Sequence, residues 1–142
     1  MLFPTLDKDQ RRILQMLRKS GPLSRSALAS ALEISGTALT RLSRDLIGLN
    51  LVEEVPGAEA QGRGRPAIPL RLAGHGGYAV GATAHKGFID IALVDFTGAT
   101  IATHHEAVAP IDPQGFARKV RRMTHELVDR HGLLGRRMLG LG

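Results

Sequence analysis

Cysteine is absent from all 142 residues. This removes disulfides, thiolate zinc sites and cysteine nucleophiles from the chain, and it fits a reducing compartment. Long apolar runs are missing too. No stretch approaches the roughly 20 residues needed to span a bilayer, and residues 1–9 carry neither a basic start nor an apolar leader segment. The expectation is a cytoplasmic protein with no membrane partner. Metal-ligand spacings are also wanting, despite six histidines. His104 and His105 are adjacent in an expected strand, so they point to opposite faces, with no Asp/Glu/His constellation at ligand spacing around them. Asp90 and Asp95 stand an odd number of positions apart and are likewise expected on opposite faces, in hairpin-flanking or solvated roles. No catalytic residue, cofactor-binding residue, metal ligand or cofactor is therefore assigned.

What is present is a chain that is 43% hydrophobic, enough to bury a core, with a net charge of +6. The charge is uneven. Residues 1–72 hold 11 Lys/Arg against 7 Asp/Glu, whereas residues 73–142 hold 8 against 6. An excess of cations leaning toward one half suits a polyanionic partner, and it also serves solubility.

Apolar periodicity predicts a first helix over residues 7–20, with Ile13, Leu14, Met16 and Leu17 on one side, Asp7 as N-cap and Gly21-Pro22 as the stop. Ser24 is placed to cap a second helix in which Ala27, Leu28, Ala31 and Leu32 repeat, the small alanines allowing close packing. Ser35 has the hydroxyl of an N-cap, and Leu39, Leu42 and Leu46 follow at helical spacing. They leave Thr37, Thr40, Arg41 and Arg44 on the other face of a third helix. Residues 49–55 and 68–72 read as strands joined by a breaker-rich turn. This is the layout of a winged helix-turn-helix over residues 1–72.

From Gly77 the pattern changes. Residues 78–84, 88–96 and 100–108 read as strands with hairpin-length joints, 113–131 as a helix, and 137–141 as the start of a fourth strand. Phe116, Val120, Met123 and Leu127 form the helix's apolar stripe. The basic run Arg118-Lys119-Val120-Arg121-Arg122 reads as its wet face. The order βββαβ is the opening of a ribonuclease-H-like, actin-like fold. The expected class is thus α+β, with a winged helix-turn-helix followed over residues 73–142 by an incomplete sugar-kinase-like domain. Because nothing after Gly142 covers the sheet, a fragment or truncated gene product is expected.

A third helix in the major groove places its N-terminal residues on base edges and its flanks on phosphates. Ser35, Gly36, Thr37, Thr40 and Arg41 are the candidate base readers: Gly36 lets the backbone approach, the threonines donate, accept or touch a thymine methyl, and Arg41 can fork onto guanine. Arg44 is placed for phosphate. Ser24 and Arg25, at a helix N-terminus, are further candidate phosphate contacts. In Gln61-Gly62-Arg63-Gly64-Arg65-Pro66, glycines let a loop enter a narrow groove and the guanidinium groups of Arg63 and Arg65 meet its negative potential. Double-stranded DNA is the expected partner, bound by a homodimer, since such motifs read paired half-sites about 10–10.5 bp apart or a multiple of that.

Leu28-Ala29, Ile34-Ser35 and Thr37, the segment Gly64-Arg65-Pro66, and Val80-Gly81-Ala82-Thr83 leading into Leu93-Val94-Asp95-Phe96-Thr97-Gly98 carry a resemblance. The chain resembles the N-terminal portion of the ROK family (repressor, open reading frame, kinase), specifically its transcriptional regulators of sugar metabolism. The resemblance implies a repressor or activator, repressor being the favoured sign, that binds operator DNA as a homo-oligomer, dimer or tetramer, and changes its affinity when a sugar or sugar phosphate binds the C-terminal domain of the full-length protein. It also implies that the family's catalytic Asp, sugar-contacting Glu and His, and Cys/His zinc site fall beyond Gly142. Thr83-Ala84-His85 departs from the Asp-Gly phosphate loop of kinase members, and the expectation is not an enzyme. Two other readings stay open: a ROK sugar kinase with an N-terminal extension that does not bind DNA, and a winged helix devoted to protein interaction.

Overall fold

The computed structural model describes residues 3–55 and 67–142. The chain divides into two compact units, one over Pro4–Gly76 and the other containing Gly77–Gly142. Together they make an α+β protein.

The first unit begins with α1 (Lys8–Ser20). Asp7 caps it as expected: its carboxylate accepts from the Gln10 amide while the Gln10 side chain accepts from the Asp7 amide, a reciprocal capping box. Gly21 ends the helix with φ +76°, a conformation open to glycine, and its N–H closes on the Leu17 carbonyl. α2 (Arg25–Leu32) and α3 (Gly36–Gly48) follow, joined by Glu33-Ile34-Ser35, in which Glu33 takes a left-handed conformation at φ 55°. α1, α2 and α3 pack on one another through Ile13, Leu17, Leu28, Leu32, Leu39, Leu42 and Leu46, all buried. Arg12 ties the first two together by donating to the Leu32 carbonyl at 2.8 Å. β1 (Val52–Glu54) and β2 (Leu70–Leu72) then pair antiparallel, Val52 opposite Leu72 and Glu54 opposite Leu70.

Three details differ from the sequence reading. The strand expected from residue 49 starts only at Val52, because Leu49 caps α3 and Asn50 turns the chain at φ 58°, where asparagine is tolerated. Ala27 and Ala31 are exposed, so the contact of α2 rests on Leu28 and Leu32. The third difference is a bridge between Leu23 and Leu70, whose amides and carbonyls exchange hydrogen bonds at 3.0 and 2.8 Å. It anchors the entry to α2 on the strand pair.

The second unit is a four-stranded sheet in the order β5-β4-β3-β6 with one helix. β3 (Tyr78–His85), β4 (Phe88–Asp95) and β5 (Thr100–Ala107) form an antiparallel meander. The first joint is a two-residue turn with Lys86 and Gly87 both at positive φ, the backbone that matches strand twist. The second is organised by Asp95, whose carboxylate accepts from the amides of Thr97 and Ala99. α4 (Pro113–Arg130), capped by Asp112, lays Val120, Met123, Leu127 and Val128 on Val80, Ile89, Ile91 and Leu93. β6 (Met138–Leu141) returns parallel to β3, with a register shift between Tyr78 and Ala79.

Candidate nucleic-acid interface

The residues singled out on the third helix occupy one face of α3. Leu39, Leu42, Ser43 and Leu46 are its buried side, Ser43 donating to the Thr40 carbonyl at 3.1 Å. Gly36, Thr37, Thr40, Arg41 and Arg44 are all exposed. The face exists because leucines recur every three or four residues, and burying them turns the intervening polar positions to solvent.

The hydroxyls differ in freedom. Ser35 is the N-cap of α3, its Oγ accepting from the Ala38 amide at 3.2 Å, and its O–H hydrogen stays available. Thr40 donates to the Gly36 carbonyl at 2.8 Å, which leaves it an acceptor and a methyl for a ligand. Thr37 makes no side-chain hydrogen bond among the described residues and keeps both functions. A Cβ built on Gly36 meets nothing within 4 Å, so no neighbour within the protein requires glycine there.

The cations differ as well. Arg41 is 68% exposed and faces Asp45 across 3.8 Å, a loose pair one turn along the helix. Arg44 has no ion pair among the described residues. Ser24 caps α2, accepting from the Ala27 amide at 3.1 Å. The next residue, Arg25, donates from Nη2 to Glu54 Oε1 of β1 at 2.6 Å. Cross-strand, Arg71 pairs with Glu53 at 2.7 Å. Arg63 and Arg65 lie outside the described residues, as does the rest of the expected loop over 61–66.

Sequence reasoning missed the acids of this surface. Asp45 was within reach of the i,i+4 rule from Arg41. Glu54 carried no local signal, since 29 residues separate it from Arg25.

Elsewhere, strand pairing brings together what spacing had kept apart. Asp90 lies opposite His105, whose Nδ1 is 2.5 Å from Asp90 Oδ1, while His85 Nδ1 is 3.3 Å from Asp90 Oδ2. Strand pairing thus sets His85 and His105 beside the Asp90 carboxylate, a grouping that their separation in sequence did not suggest. Among the described residues no group of three or more His, Cys, Asp or Glu is arranged to hold a metal ion. On α4, Lys119 and Arg122 both reach Glu106 at 2.8 Å, and these hydrogen-bonded cations hold its carboxyl down to about 2. No described helix is long and apolar enough to cross a membrane.

Comparison with a solved ROK family transcriptional regulator, a homolog of the E. coli Mlc protein, gives a TM-score of 0.67 at 23% identity, covering 94% of this chain and 34% of that one. The resemblance to ROK-family transcriptional regulators holds. In sequence, this ROK-like chain is 25% identical over 97 residues to the DNA-binding transcriptional repressor Mlc of Escherichia coli (strain K12), covering 68% of this chain and 24% of Mlc. It is 24% identical over 142 residues to the uncharacterized protein y4fQ of Sinorhizobium fredii (strain NBRC 101917 / NGR234), covering 99% of this chain and 36% of y4fQ. The chain thus spans about a third or less of the length of these relatives. No protein-family model matches it.

Proposed function

We propose that this chain is the DNA-reading portion of a ROK-type transcription regulator, with residues 1–72 acting as a winged helix-turn-helix on double-stranded DNA. The observation that carries the reading is the exposed face of α3. It begins at a glycine that no neighbour in the protein requires and continues through Thr37, Thr40, Arg41 and Arg44. The short Glu33-Ile34-Ser35 connection from α2 and the antiparallel pair β1–β2 after α3 support this reading.

In this reading α3 enters the major groove. Thr37 and Arg41 meet base edges with Ser35, Gly36 and Thr40 beside them, and Ser24, Arg25 and Arg44 hold phosphates. Arg63 and Arg65, which fall between β1 and β2 in sequence, are assigned to an adjacent groove in this reading. Residues 73–142 begin a ribonuclease-H-like, actin-like domain, supported by the order βββαβ and by the parallel return of β6 beside β3. The full-length protein is a cytoplasmic homo-oligomer that represses sugar-metabolism genes and responds to a sugar or sugar phosphate, as the repressor name of its E. coli relative encourages. The role is not enzymatic: Thr83-Ala84-His85 belong to β3 and run into a two-residue turn, where phosphate transfer calls for a loop of free backbone amides.

Fluorescence anisotropy of labelled genomic duplexes at moderate salt tests the reading. Binding that falls steeply with added salt is expected. Absence of binding at low salt overturns it in favour of a protein-interaction module.

A further inference from the structure

The surface proposed to meet DNA carries its own anions. Arg25, the first residue of α2, spends Nη2 on Glu54 at 2.6 Å, while its Nε and Nη1 make no side-chain hydrogen bond or ion pair among the described residues. Glu54 lies on the last position of β1, where it is paired with Leu70 in the strand register. The Leu23–Leu70 bridge fixes the entry to α2 against that same strand pair, so the two charges are held across from each other by backbone. Their side chains remain 32% and 45% exposed, and an ion pair that wet contributes little to stability. A carboxylate kept beside a phosphate-binding candidate, at so small a gain for the fold, calls for another role.

Resting on the DNA-binding reading, we propose that Glu54 competes with DNA phosphate for Arg25 and so keeps the sequence-independent part of duplex binding weak. The argument is one of charge. Non-cognate complexes are held almost entirely by phosphate contacts, whose strength follows the number of cations that displace counterions. With Glu54 in place, the pair presents no net charge to an approaching backbone. A cognate duplex adds base contacts from α3 that do not depend on this pair, so it stays bound at salt concentrations where the neutralised surface no longer holds a random one. Arg41 facing Asp45 repeats the arrangement more loosely at 3.8 Å, whereas Arg44 has no such partner among the described residues.

The test compares the full chain with Glu54→Gln, which keeps shape and a hydrogen-bond acceptor while removing the charge. Binding to a random-sequence duplex of about three helical turns is titrated by anisotropy across a salt series, beside a duplex selected from a random pool. Glu54→Gln is expected to bind the random duplex about three- to tenfold more tightly, to steepen its log–log salt slope by about one, and to tighten the selected duplex by a similar factor. The gain on the random duplex shrinks in an Arg25→Ala background. Unaltered melting of Glu54→Gln verifies the fold. Unchanged or weaker random-duplex binding by Glu54→Gln, with the wild type binding normally, overturns the proposal and leaves the DNA reading standing. Failure of the wild type to bind either duplex overturns both.

Discussion

Arginines on α3 and on α4 look alike in sequence and have different surroundings. On α4, Arg122 bonds both Glu126 and Glu106, Lys119 joins it on Glu106, and this attachment of helix to sheet lowers the Glu106 carboxyl to about 2. On α3, Arg41 faces one distant acid and Arg44 faces none among the described residues. The lesson is that a basic run is read by what lies beside it in three dimensions. A cation already matched to carboxylates fastens elements together, and one left in water is available to a partner.

Deleting core volume is the harshest way to probe this contrast. Leu39→Ala, under the exposed face of α3, should cost about 2–5 kcal/mol in urea unfolding, and Met123→Ala under α4 a similar amount, since both side chains are fully buried. Duplex binding should suffer far more from the first than from the second.

Next in size come the α3 arginines. Arg41→Ala is expected to cost about 1–3 kcal/mol on a selected duplex and to relax sequence preference, while Arg44→Ala weakens all duplexes alike and reduces the salt slope by about one. Arg122→Ala serves as the counterpart, and anisotropy should find its duplex affinity unchanged. Equal losses from Arg41 and Arg122 would erase the distinction.

Gly36→Ala separates fold from function. With open space at its Cβ and a place in the first turn of α3, the substitution should leave the melting temperature unchanged or raise stability by up to about 1 kcal/mol, yet reduce duplex affinity by obstructing close backbone approach.

The smallest effect is electrostatic. The folded carboxyl of Glu106 sits below its ordinary 4.5, so its contribution to stability is fully present above that value and is lost as pH falls from about 4.5 toward 2. Glu106→Gln should flatten the acid side of the stability profile across that window in thermal melts, with no change in duplex binding at neutral pH.

Much of this was legible beforehand because it is local. Asp7, Ser24 and Ser35 cap their helices as their side chains dictate, the leucines of α3 define its outward face, and the strands of the meander fall where β-branched residues and turn signals put them. What escaped was long-range or conformational. The Leu23–Leu70 bridge, the Arg25–Glu54 pair and the gathering of His85 and His105 on Asp90 all join residues distant in the chain. Leu49 and Asn50 fit an alternating pattern, but the end of α3 claims them for its cap.

Selection of bound duplexes from a random pool addresses the central claim most directly. Recovery of a shared half-site motif, with preference at its bases lost in Arg41→Ala and retained in Arg44→Ala, is the predicted result. Enrichment of no motif, together with equal affinity of the wild type for recovered and scrambled duplexes, would contradict it.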